Sequence, residues 1–188
     1  MRDPIEVTKQ SPRGGMAGTT DIPDLIIAPV WRDAARVMTQ LPSPKHSGWY
    51  GLMARPEIRA AEALLRRGMA ALTSNAITSR AKVAEQLFRE ALDRLVTAIP
   101  GPSPLVAYAL DRVGLACQLQ GNDADAEGLY LRSLAHQQSG EWRATPWIEV
   151  TLLNLAILYG RQGRHAMNEA LIRQMDDLQH ESGPIADH

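Results

Sequence analysis

The chain has 188 residues, a formal net charge of -1, 45% apolar residues and one cysteine. A near-neutral balance argues against a nucleic-acid partner, because neutralising phosphates takes a clear basic excess. The single Cys117 excludes an intrachain disulfide, and only 5% of residues are aromatic. Ala and Leu dominate the apolar set, which favours helices over strands.

The first residues, Met1 to Glu6, lack the apolar stretch of a secretory leader. No run of about 18 apolar residues occurs, so no membrane partner is expected. A reducing, cytoplasmic setting is the default expectation. Seven of the twelve prolines fall within residues 1–56, and Gly14, Gly15 and Gly18 lie among Ser and Thr. Such a stretch buries too little apolar surface to offset its ordering entropy. Residues 1–56 are therefore read as a flexible proline- and glycine-rich arm. One short helix is expected near 29–41, opened by Pro29 and ended by Pro42. Trp31, Ala34, Ala35, Met38 and Leu41 share one face of it. Lys45 to Leu52 reads as a turn carrying Trp49 and Tyr50.

From residue 57 to the end the pattern is helical, and residues 57–188 are taken as one repeat domain. Proline is absent from 57 to 99. Breakers at Pro100 to Pro104, Gly121-Asn122, Ser139-Gly140, Pro146 and Gly163 cut the region. The predicted helices are 57–73, 79–98, 104–119, 123–138, 146–161 and 165–180.

The second helix of each pair repeats. Ala84-Glu85-Gln86-Leu87-Phe88 aligns with Ala126-Glu127-Gly128-Leu129-Tyr130 and with Asn168-Glu169-Ala170-Leu171-Ile172, at offsets 126 − 84 = 42 and 168 − 126 = 42. Gln120-Gly121 aligns with Gln162-Gly163, and Val113-Gly114 with Leu155-Ala156, at the same offset. Small residues are expected where two helices of a hairpin cross. The glycines are expected to reverse the chain, because glycine takes a positive φ cheaply. Asn168 at a small-residue position predicts looser packing in the third hairpin. The first hairpin lacks the glycine turn. Its reversal is expected near Ser74-Asn75, with Gly68 as the small crossing residue and a few inserted residues. Leu92 and Leu134 give way to Asp176 in the third copy. Arg173, Gln174, Asp176 and Asp177 then make a wettable outer face, as the end of an array requires.

These residues resemble tetratricopeptide repeats of the kinesin-light-chain type, above all Thr151 to Arg164 with its Asn154-Leu155-Ala156 motif. The usual period is about 34 residues. Here the extra length falls near Gly140–Trp147, between hairpins. The resemblance implies an all-α, right-handed superhelix of about three helix–turn–helix hairpins. Its first helices would line a concave groove that takes a peptide or helix of another protein. Asn154 would contact the main chain of a bound peptide, and Arg112 stands at that position one repeat earlier. The inward positions are Tyr108, Asp111, Arg112, Leu115 and Leu119, then Val150, Leu153, Asn154, Ile157 and Arg161. An amide offers both a donor and an acceptor to an extended main chain, and a guanidinium adds charge-assisted bonds.

Enzymatic motifs are absent from the sequence: there is no phosphate loop, dinucleotide fingerprint, nucleophile elbow or zinc-protease motif. No catalytic residue, cofactor or metal is expected. Cys117 reads as a buried, inert thiol, and His165 with Glu169 as a solvated surface pair. Two functions fit. One is an adaptor or scaffold that captures a partner's peptide in the groove. The other is a permanent accessory subunit of a larger complex, with Leu115, Leu119, Val150, Leu153 and Ile157 as its interface. The Trp31 helix has three uses open to it: covering the first hairpin, lying in the groove, or anchoring a partner in trans.

Overall fold

A computed structural model describes residues 48–72, 77–139 and 146–181. They all fall in one compact unit, Gln40–His188. The expected 29–41 helix, Trp31, the Ser74-Asn75 turn and the Gly140–Thr145 loop lie outside the described residues. Seven helices and no strand are found among the described residues: α1 Gly48–Met53, α2 Pro56–Leu72, α3 Ile77–Ala98, α4 Pro104–Leu119, α5 Asp123–Gln138, α6 Pro146–Arg161 and α7 His165–Glu181. Three predicted spans, α4 to α6, agree to the residue. One expectation is corrected, because residues read as a turn form α1 from Gly48 to Met53. It forms although two of its six residues are glycines, which disfavour a helix interior.

Proline opens α2, α4 and α6. At a first helical position its missing N–H costs nothing and its φ is already helical. At α4 the preceding Ser103 caps the helix, its Oγ accepting from the Leu105 N–H at 3.3 Å. The reversals after α4 and α6 share one geometry. Gly121 and Gly163 have φ of 81° and 70°. Around the first, the Gly121 N–H donates to Gln118 O and the Asn122 N–H to Cys117 O. Around the second, Gly163 donates to Gly160 O and Arg164 to Tyr159 O. This paired closure satisfies carbonyls that a helix end leaves open.

Each helix packs on its neighbours in sequence, so α2/α3, α4/α5 and α6/α7 form hairpins that stack in chain order. The crossings explain the small residues. A methyl group added at Gly68 would stand 2.3 Å from the Phe88 ring, and one at Gly114 would stand 2.8 Å from the Tyr130 ring. Phe88 and Tyr130 are both fully buried. The crossing residues are spaced 114 − 68 = 46 and 156 − 114 = 42, so the first hairpin carries the expected insertion. In the third hairpin Asn168 Nδ2 donates to the Ala156 carbonyl at 2.6 Å. Ile172, the counterpart of Phe88 and Tyr130, is 46% exposed. This hairpin buries less than the other two. Leu92 and Leu134 are buried, while Arg173, Asp176 and Asp177 are exposed, so the outer face of α7 is polar.

A second repeating contact fixes one hairpin against the next. Glu85 accepts from Gln120 Nε2 at 2.7 Å, reaching from α3 to the end of α4. Glu127, 42 residues later, accepts from the Tyr159 hydroxyl at 2.9 Å and from Arg164 at 2.8 Å. Arg164 also stacks on the Tyr159 ring at 4.1 Å. Its hydrogen bond to Glu127 holds that carboxyl below the usual range, against a smaller opposing effect of burial. Glu169, at the same position in the third copy, is exposed.

Candidate functional site

α4 is the centre of the stack, and every residue from Pro104 to Leu119 is buried. It lies between the first and third hairpins as well as against α5. The five α4 positions expected to line a groove, Tyr108, Asp111, Arg112, Leu115 and Leu119, are therefore interior. Arg112 is 1% exposed. Its guanidinium stacks over the Tyr108 ring at 4.6 Å, and Nη1 comes within 3.9 Å of the Met69 sulfur on α2.

On α6 the expected positions form a graded stripe, with residues spaced three, four, seven and eleven apart on one helical face. Val150 and Ile157 are half-buried, Asn154 is buried, and Leu153 and Arg161 are exposed. The accessible part of the site is thus on the third hairpin. Sequence spacing placed the α4 and α6 stripes in equivalent register. It carried no signal that α4 is flanked on both sides while α6 follows it.

Between these helices runs a buried polar seam. Gln137 Nε2 donates to Ser133 Oγ at 2.9 Å and to Thr151 Oγ1 at 2.7 Å. The Ser133 hydroxyl donates to the Ala107 carbonyl at 2.9 Å, and that of Thr151 to Asp111 Oδ2 at 2.7 Å. One amide thereby directs both hydroxyls and ties α4, α5 and α6 together. The seam was not anticipated, although Ser133 could have been suspected: it interrupts an apolar stripe where the first repeat has Ala91. Asp111 Oδ1, Gln137 Oε1 and Asn154 Nδ2 are buried and make no hydrogen bond. Buried polar groups normally find partners, so these three are exceptions within an otherwise satisfied seam.

Burial pushes the Asp111 carboxyl up to about 7, against the charge of Arg112 and the Thr151 hydrogen bond. The folded chain therefore holds this proton more tightly than the unfolded chain. The stabilisation is complete below the ordinary carboxylate range and is lost as pH rises to about 7. The difference in stability between Asp111→Asn and the native chain should grow in favour of the variant from pH 5 to pH 8. The expected size is on the order of a few kcal/mol, since each pKa unit corresponds to about 1.4 kcal/mol. Urea melts at both pH values check this, and a difference independent of pH would contradict it.

Cys117 is buried, and burial followed by the Glu85 carboxylate pushes its thiol up to about 11. A thiol held protonated is a poor nucleophile. His165 and Glu169 are both exposed. No group of three metal-ligating side chains occurs among the described residues. None of the described helices is long and apolar enough to cross a membrane. Comparison with known proteins gives no match, either to a family model or to a curated protein.

Proposed function

We propose that this chain is a protein-binding helical repeat of the tetratricopeptide type, whose hairpins curve into a right-handed superhelix. It takes a segment of a partner polypeptide along α6, as an adaptor or scaffold in the cytoplasm, without catalysis or cofactor. One observation carries the reading. On α6 the Asn154 side chain keeps an unpaired N–H at Nδ2, within a stripe that includes half-buried Val150 and Ile157. Beside them, Leu153 and Arg161 are open to solvent. An extended main chain presents C=O groups, which an amide N–H held on a fixed helix suits.

The alternative is a permanent accessory subunit of a larger complex. Leu115 and Leu119, two of the five apolar residues it would use, are 2% and 7% exposed within this chain.

Peptides selected from a random library on the full chain, then titrated calorimetrically, test the proposal. Asn154→Ala should weaken them by about 1–3 kcal/mol, the usual effect of leaving a buried partner unpaired. Arg112→Ala is unsuitable as a companion, because its buried stack makes it a stability variant. Leu153→Ser is the better choice. Selected peptides that bind both variants as tightly as the native chain would remove α6 as the site.

A further inference from the structure

A crevice of about 470 Å³ lies where the end of α3 and the following loop meet α5. Val96, Ile99, Pro100, Pro102 and Val106 line it, with Arg132, Ala135 and His136 from α5. Its size falls within the range of small-molecule sites. The loop is stiff, because two of its residues are prolines with fixed φ. Gly101 between them sits at φ 102°, a conformation other residues rarely adopt. Val106 is 1% exposed and Val96 is 50% exposed, so the apolar lining runs from the interior to the surface.

Two polar groups at the crevice give it a sign. Arg132 is exposed and makes no hydrogen bond or ion pair with a described residue. His136 Nδ1 accepts from the Ser103 backbone N–H at 3.3 Å. Its proton therefore sits on Nε2, which remains a donor. Burial, then the nearby Arg132 charge, keep this imidazole below its usual range and hence neutral at pH 7. An apolar crevice with a free guanidinium and an imidazole N–H complements a carboxylate on an apolar body.

We propose that this crevice binds a free apolar carboxylic acid, with Arg132 and His136 holding the carboxylate and Val96, Ile99 and Val106 contacting the body. A peptide is the poorer occupant. Pro100 and Pro102 have no N–H to offer an extended main chain, and the α5 backbone is committed within its helix.

Octanoate titrated into the uniformly nitrogen-15-labelled full chain tests this. Saturable amide shifts should cluster at Val96, Val106 and Ala135. Arg132→Gln should weaken binding at least tenfold, and Ala135→Trp, which fills the mouth, should abolish it. Both positions are exposed, so both variants should melt like the native chain. Octanol binding as well as octanoate would overturn the proposal. So would shifts that do not saturate or that fall elsewhere, or an unweakened Arg132→Gln. A leucine-terminated peptide binding more tightly than octanoate would overturn the choice of a free acid.

Discussion

Tyr130→Ala should lower the unfolding free energy by about 3–5 kcal/mol, the usual loss when a buried aromatic ring is truncated to alanine. Tyr130 is fully buried, its ring lies against Gly114, and its hydroxyl donates to Gln118 Oε1 at 2.8 Å. Truncation leaves a cavity at the centre of the α4/α5 crossing and strips a buried amide of its partner. Ile172→Ala removes the equivalent side chain 42 residues later, where the position is 46% exposed. That variant should lose about 1 kcal/mol or less. Urea midpoints at constant slope measure both. Equal losses would mean that the third hairpin buries its crossing as the second does, contrary to this structure.

Thr151→Val should also be costly, although the side chains have nearly the same shape. Thr151 is fully buried, and its hydroxyl is the link between Gln137 and Asp111. Valine leaves both without that partner, at about 1–3 kcal/mol for each group left unpaired. Thr97→Val is the control. Thr97 donates to the Asp93 carbonyl within its own helix and is exposed, so its loss should be near zero. A cycle combining Thr151→Val with Gln137→Leu should be markedly less than additive, because the second change removes a group the first has orphaned. Additive losses would mean that the seam does not act as a unit.

The fold was legible because its signals are local. Proline at the first turn and glycine after the last delimit α4 and α6, and the Gly121-Asn122 and Ser139-Gly140 breakers delimit α5, without tertiary information. The crossings were legible from repetition, since Gly114 and Tyr130 recur in kind as Gly68 and Phe88. The site was less so. Helical periodicity assigns Asp111, Arg112 and Leu115 to a face, but what covers that face depends on neighbours from other hairpins. Equivalent positions on α4 and α6 look alike in the sequence, and burial separates them. The hairpin-to-hairpin contacts were in view all along, in the recurrence of Glu85, Glu127 and Glu169. Their role appears only when Gln120 and Tyr159 are seen to arrive from the next hairpin.

The central functional claim is that the Asn154 amide reads a partner's main chain. Side-chain amide spectra of the nitrogen-15-labelled full chain, recorded with and without a library-selected peptide, test it most directly. The account predicts that the Asn154 side-chain pair shifts on binding and exchanges its hydrogens more slowly, with backbone shifts following Val150, Leu153, Ile157 and Arg161. An unmoved Asn154 pair under saturating peptide, with backbone shifts confined to other helices, would contradict it.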